Sequence, residues 1–227
     1  MDKVFILGIG AQKAGTSWLH HYLRGFPFTE TGILKEYHVW DALFLPELGR
    51  GLTPPEGQEA SEEWRLRRRM QTDPETYFNY FCGLLRRDGI WLTADITPSY
   101  AALEADVFRN IHDGFARRGV ACKVVFLMRD PLERLWSMVR MWHRRGKAPG
   151  VDFSSDPNPE DILLATYRTD HARYRTHYDK TVTALEGVLP PEDVFIGLYE
   201  DILEKGNIGP LARFLGVPLR AGIADEK

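Results

Sequence analysis

The sequence predicts an α/β fold, a single domain over residues 1–227 with a mostly parallel central sheet flanked by helices. Two observations carry this. Short runs of consecutive apolar, β-branched-rich residues stand at 4–9, 90–94, 123–128 and 194–198, the pattern of strands buried on both faces. The first and third of these pass through a turn directly into a stretch of helical spacing, so a strand, loop, helix unit occurs twice. With 227 residues, 44% of them hydrophobic, the chain can bury one large core.

Taken in order, Val4-Phe5-Ile6-Leu7-Gly8-Ile9 is too short for a signal segment or a membrane span and reads as the first strand. Thr16 and Ser17 offer capping hydroxyls to the next helix, whose apolar positions Trp18, Leu19, Tyr22 and Leu23 recur at helical spacing until Gly25 and Pro27 end it. Residues 46–73 shift to Pro, Gly, Glu and Arg and read as an irregular insertion, with Arg65, Arg67, Arg68 and Arg69 on a solvated helix face. After the strand at 123–128, Asp130 serves as N-cap, Pro131 as first helical residue and Glu133 as the partner completing a capping box. Leu135, Met138 and Trp142 continue that helix. A last strand at 194–198 and a short helix at 209–215, ended by Gly216, close the order.

The 29 basic and 32 acidic residues give a net charge of -3, so no whole-protein field draws in nucleic acid or anionic membrane, and any polyanion site is local. Cys82 and Cys122 lack partners at metal-ligand spacing and suggest neither a disulfide framework nor a zinc site, which suits a reducing, cytoplasmic setting. Oligomeric state has no sequence signal. In open parallel sheets ligands bind at the carboxyl ends of the strands, so residues 10–17, residues 95–100 and Arg129 are expected to converge on one crevice.

Gly10-Ala11-Gln12-Lys13-Ala14-Gly15-Thr16-Ser17-Trp18 lies between strand and helix, where backbone amides and a helix N-terminus cradle an anion. The spacing is P-loop NTPase-like, but a nucleotide triphosphatase has lysine directly after the second glycine. That position is Thr16. The lysine stands at Lys13, able to lean over a terminal anionic group while Gly15, Thr16 and Ser17 donate from below, an arrangement that does not require a metal. A small-molecule kinase and a non-catalytic nucleotide-binding module are the alternative readings.

The stretch from Gln12 to Leu19 resembles the first phosphosulfate loop of the sulfotransferases that use 3'-phosphoadenosine 5'-phosphosulfate (PAPS). Arg129-Asp130-Pro131-Leu132-Glu133-Arg134-Leu135-Trp136-Ser137 resembles that family's 3'-phosphate motif, and Tyr199-Glu200-Asp201 with Phe214-Leu215-Gly216 resembles its closing pattern. The motif style is nearest to the carbohydrate and bacterial members. The resemblance implies transfer of a sulfuryl group from PAPS to a hydroxyl or amine of a small-molecule or carbohydrate acceptor, releasing 3'-phosphoadenosine 5'-phosphate (PAP). It implies that Lys13 contacts the bridging oxygen where charge develops. Ala14, Gly15, Thr16 and Ser17 would surround the 5'-phosphate, and Arg129 and Ser137 the 3'-phosphate. Trp18 and Tyr199 would flank the adenine or else belong to the core, and Arg134 would touch ligand or position the loop. Relatives also carry a C-terminal basic or glycine-containing clamp over the 3'-phosphate; the residues up to Asp225-Glu226-Lys227 lack that pattern.

Lys35-Glu36-Tyr37-His38-Val39-Trp40 resembles the segment whose glutamate takes the acceptor's proton in relatives acting on carbohydrates. Glu36 is therefore the expected base and His38 the second choice. Lys35 favours the ionised carboxylate and burial opposes it, and sequence leaves that balance open. Asp95-Ile96-Thr97-Pro98-Ser99-Tyr100 resembles the family's E-K-[ST]-P-x-Y stretch with Ile96 in place of lysine, which points to a neutral acceptor rather than a glycosaminoglycan. Trp40, Trp91, Tyr100, Met141 and Trp142 are candidates to line the acceptor pocket.

Overall fold

The computed structural model describes residues 2–46 and 61–220. Four strands, β1 (Val4–Gly10), β2 (Leu92–Ile96), β3 (Ala121–Met128) and β4 (Val194–Leu198), form one sheet in the order β2-β1-β3-β4. All three pairings are parallel, with Leu7 of β1 opposite Asp95 on one side and Val124 on the other. Every residue of β1 and β2 is buried, as continuous apolar runs require when helices cover both faces. Because the chain leaves β1 first toward β2 and later returns to β3, the carboxyl ends of β1 and β3 lie side by side at a switch in winding direction, where open sheets form their crevice.

The helices are α1 (Thr16–Arg24), α2 (Trp40–Phe44), α3 (Glu62–Thr72), α4 (Pro74–Leu85), α5 (Ala105–Ala116), α6 (Pro131–Arg145), α7 (Pro159–Thr166), α8 (Asp170–Arg173), α9 (Tyr178–Glu186) and α10 (Gly209–Leu215). Among the described residues no helix is long and apolar enough to cross a membrane. The main core is aromatic: Phe5 stacks on Phe115 at 3.9 Å and meets Phe81 edge-on at 4.8 Å. A second, smaller cluster of Met138, Val139, Trp142, Ala148 and Ile162 joins α6 to α7.

Four local expectations change. The second strand begins two residues late, at Leu92, because the amides of Trp91 and Leu92 both turn to the Phe28 carbonyl while Trp91 stacks on Phe28 at 4.4 Å. Neither Thr16 nor Ser17 caps α1; the cap position is Gly15 at φ 90°, a conformation that glycine adopts without strain. The Asp130 carboxylate does accept the Leu132 and Glu133 amides at 2.9 Å. The Asp130 amide, however, bonds Glu200 Oε1 at 2.9 Å, and the Glu133 carboxylate turns to Arg129 at 3.8 Å, so the box is not reciprocal. Of the expected irregular insertion 46–73, residues 47–60 lie outside the described residues; the expected helix face is the regular helix α3, capped by the Ser61 hydroxyl on the Trp64 amide, but Arg67 is not solvated on it, since it donates to the Tyr37 and Glu36 carbonyls.

β2 ends in a fully buried carboxylate. Asp95 accepts hydrogen bonds from Thr97 Oγ1 (2.5 Å), Tyr77 OH (2.9 Å) and Tyr100 OH (3.0 Å). Burial raises its pKa to about 6 even against these donors. An acid with a raised folded-state pKa destabilises the fold as it ionises, so its stability contribution is full below pH ~4 and declines as pH rises toward about 6. The stability advantage of the parent over Asp95→Asn is therefore expected to shrink between pH 4 and pH 7 by on the order of 3 kcal/mol. Urea unfolding of both proteins at the two pH values checks this, and a pH-independent difference would contradict it.

Candidate functional site

A cavity of about 420 Å³ opens at the carboxyl ends of β1 and β3. Its floor is the turn after β1. The Ala11 amide donates to the Leu127 carbonyl of β3 (2.6 Å), and the Ala14 amide closes back on the Ala11 carbonyl (3.1 Å). Lys13 takes a left-handed conformation at φ 69°, which turns its side chain to the cavity while Ala14 faces the core. Gly15 is held by space as well as by φ: a Cβ there would come within 3.0 Å of Leu203 and 3.4 Å of Tyr199. The first amides of α1 have no partner within the helix and point out of its N-terminus, beside the cavity-lining residues Thr16, Ser17 and Trp18.

Arg129, just past β3, forms the second wall. Its guanidinium lies 4.3 Å from the Tyr199 ring centre and donates to the Lys13 carbonyl at 3.3 Å. Its buried Nε has no protein partner among the described residues. Ser137, Met141 and Arg145 follow at four-residue steps along α6 and face the same space, and Arg175 enters from the segment after α8. Arg134 does not: it is fully buried and donates to Thr176 Oγ1 at 2.7 Å, bracing the segment that carries Arg175.

The third wall is the stretch 35–38. Lys35 Nζ donates to Ser17 Oγ (2.8 Å) and to Glu36 Oε1 (3.1 Å). His38 Nε2 lies 3.1 Å from Glu36 Oε2, and His38 Nδ1 lies 2.7 Å from Asp41 Oδ2, which also accepts the Ser99 hydroxyl at 2.5 Å. With a carboxylate at each ring nitrogen, only the imidazolium form of His38 donates to both. A continuous chain of polar contacts thus runs from Ser17 through Lys35, Glu36 and His38 to Asp41 and Ser99.

The electrostatics follow from this crowding. Burial, and then Arg144, Arg145, Arg129 and Lys35 in turn, lower the Lys13 pKa below the ordinary lysine value. Burial alone would raise the Glu36 carboxyl, but the hydrogen bond from His38 and the Lys35 charge outweigh it and hold the pKa down at about 2. The balance that sequence leaves open is decided for the carboxylate. Among the described residues the lining includes Lys13, Lys35, Arg129, Arg145 and Arg175 against the single acid Glu36, a focused positive potential in a chain whose net charge is -3.

The structure brings Lys13, Gly15, Thr16, Ser17, Trp18, Glu36, His38, Arg129, Ser137 and Tyr199 to one cavity. Ala14 is not on it, since its side chain is buried and its amide is spent within the loop. Trp18 presents only an edge, being 7% exposed and stacked on Tyr22 at 5.1 Å. Of the candidate acceptor-pocket residues only Met141 lines the cavity. Trp40, Tyr100 and Trp142 are packed in the two cores, and Trp91 stacks on Phe28. Ile96 is fully buried, its side chain lying against Gly8, and does not line the cavity. Of residues 95–100, expected at the crevice, Pro98 and Ser99 line it. Sequence reading missed Asp41, Arg145 and Arg175. The helical steps from Ser137 to Met141 and Arg145 could have found the second of these; the other two carry no local signal.

No family model and no curated protein matches this sequence. Solved structures do match the fold. A sulfotransferase from Alicyclobacillus acidocaldarius aligns with a TM-score of 0.61 at 20% identity, covering 100% of this chain and 88% of that one. The sulfotransferase domain from the curacin biosynthetic pathway aligns at 0.55 and 18% identity, covering 97% and 75%. A mouse sulfotransferase complexed with PAP aligns at 0.50 and 15% identity, covering 100% and 68%. The four-stranded parallel sheet flanked by helices is that of the sulfotransferase fold, and this chain has it.

Proposed function

We propose that the chain is a PAPS-dependent sulfotransferase that transfers the sulfuryl group in line to a hydroxyl or amine of a small, neutral acceptor. The observation that carries this reading is that the Lys13 loop and the Glu36–His38 pair line one cavity. The first can hold anionic oxygens; the second can take a proton.

The residues present fit the nucleotide. The Gly15, Thr16 and Ser17 amides and hydroxyls receive the 5'-phosphate at the N-terminus of α1. Arg129, with its unsatisfied Nε, and the Ser137 hydroxyl receive the 3'-phosphate, and Arg145 and Arg175 add positive charge around them. When bound, PAPS supplies the sulfuryl group and a phosphate leaving group. Lys13 neutralises the charge that grows on the leaving oxygen, a stabilisation stronger in the transition state than before it. Glu36 accepts the acceptor's proton, and His38, oriented by Asp41, stays hydrogen-bonded to it. A carboxylate held at about 2 is a weak base. It suffices where the acceptor oxygen becomes acidic only as its bond to sulfur forms. The single carboxylate in the lining is already met by Lys35 and His38, which supports an uncharged acceptor rather than a cationic one.

Metal-free protein is expected to bind PAP tightly in calorimetric titration and to prefer it to magnesium-ATP; the reverse preference would favour a kinase. Arg129→Ala is expected to lose most of the preference for PAP over the nucleotide lacking the 3'-phosphate, and an unchanged preference would remove Arg129 from that role. Lys13→Ala is expected to lower kcat far more than it weakens PAP binding, with equal losses counting against action on the leaving oxygen.

Because Glu36 stays ionised far below neutral pH, Glu36→Gln is expected to cut kcat about 10²-fold or more and by the same factor at pH 5.5 and pH 8. A deficit that vanishes at the lower pH would mean that another group is the base. A binding module without catalysis would show PAP affinity untouched by Glu36→Gln and no transfer in the parent.

A further inference from the structure

The stretch 35–39 belongs to no strand or helix, α2 starting only at Trp40, so its backbone polar groups need partners from elsewhere. One side comes from the end of β2: the Ile96 amide donates to the Lys35 carbonyl (3.3 Å), Thr97 Oγ1 accepts the Tyr37 amide (3.0 Å), and Tyr100 OH accepts the Val39 amide (3.0 Å). The other side comes from α3. Arg67 donates through Nε to the Tyr37 carbonyl (2.8 Å) and through its terminal nitrogen to the Glu36 carbonyl (2.9 Å). Gln71, one turn on, donates to the His38 carbonyl at 2.7 Å. Two side chains four residues apart on one helix face thus hold three consecutive carbonyls. The last of these belongs to a histidine at φ 52°, a backbone state uncommon for a residue with a side chain and maintained only when its surroundings enforce it.

We propose that Arg67 and Gln71 are positioning residues for the proton-accepting pair, setting the ring of His38 against Glu36 while touching neither acceptor nor nucleotide. Neither side chain lines the cavity. Their distance from the phosphate-binding loop separates their effect from nucleotide binding, and their grip on the carbonyls of both Glu36 and His38 links them to the chemistry. The assignment of a catalytic role to that pair rests on the function proposed above; the geometric role does not.

Arg67→Lys, which keeps a single donor, and Gln71→Leu, of similar size without a donor, test this in the full chain. PAP affinity is expected to stay within about twofold and kcat to fall about 10-fold to 10²-fold, the scale of a small misplacement of a catalytic group. Arg67→Met is expected to lose more than Arg67→Lys. Lys35 and His38 face the Glu36 carboxylate directly, with His20 of α1 close enough to sense its charge and Asp41 behind the His38 ring. If the imidazole drifts from Glu36, the carboxylate regains a more ordinary pKa, and an acid fall in kcat between pH 6 and pH 4 is expected in Gln71→Leu beyond any in the parent.

Side-chain ¹⁵N–¹H spectra of His38 give a readout that needs no turnover. Ring N–H signals protected in the parent are expected to exchange-broaden in Gln71→Leu. Unaltered His38 spectra in correctly folded variants would overturn the proposal. So would kcat per folded molecule and a pH profile equal to the parent's. A parent that transfers no sulfuryl group, with His38 signals that still respond, would overturn the proposed function and leave the positioning role standing.

Discussion

A fully buried carboxylate near the end of β2 organises the irregular stretch that walls one side of the cavity. Asp95 is expensive to bury, and its raised pKa records that cost, yet the hydroxyls of Thr97, Tyr77 and Tyr100 converge on it. Two of those groups extend outward: Thr97 accepts the Tyr37 amide, and Tyr100 accepts the Val39 amide. The carboxylate therefore connects the sheet to the irregular stretch that presents Glu36 and His38. Buried polar networks of this kind specify one arrangement because every alternative strands a group without a partner.

The other half of the site depends on ordinary α/β geometry. A parallel sheet whose winding reverses between β1 and β3 leaves their carboxyl ends adjacent, and the turn after β1 delivers Lys13, Gly15 and the start of α1 to that point. Arg129 follows β3 into the same crevice and lies over Tyr199. The Tyr199 ring thus acts as a support for the guanidinium, a third role beside the two read from sequence. Where the Lys35 ammonium meets Ser17 on one side and Glu36 on the other, the start of α1 and the stretch 35–38 become one hydrogen-bonded system.

Legibility in the sequence followed the range of the interactions concerned. The run 10–18 and the run 129–137 were readable because a strand end, a turn and the helix that follows are set by neighbours within a few residues. The last strand and closing helix, Val194–Leu198 and Gly209–Leu215, were readable for the same reason. The capping of α1 was misread because Gly15 itself makes the turn, and the reciprocal box at α6 because Glu200, 70 residues on, takes the Asp130 amide. Aromatic residues were the least informative: Trp40, Tyr100 and Trp142 carry the same composition signal whether they line a pocket or fill a core, and here they fill the cores.

By itself the sequence determined the fold class, the turn after β1, the capped start of α6 and the nearness of Glu36 to His38 in one short segment, all features written in local order and periodicity. Only the tertiary structure decided that Glu36 stays ionised, that Asp41 and Ser99 stand behind His38, that Arg145 and Arg175 join the cavity, and that Arg67 and Gln71 hold the backbone of the reactive segment. The physical reason is that charge state and orientation depend on groups brought within about 3 Å by folding, and no spacing along the chain encodes that approach.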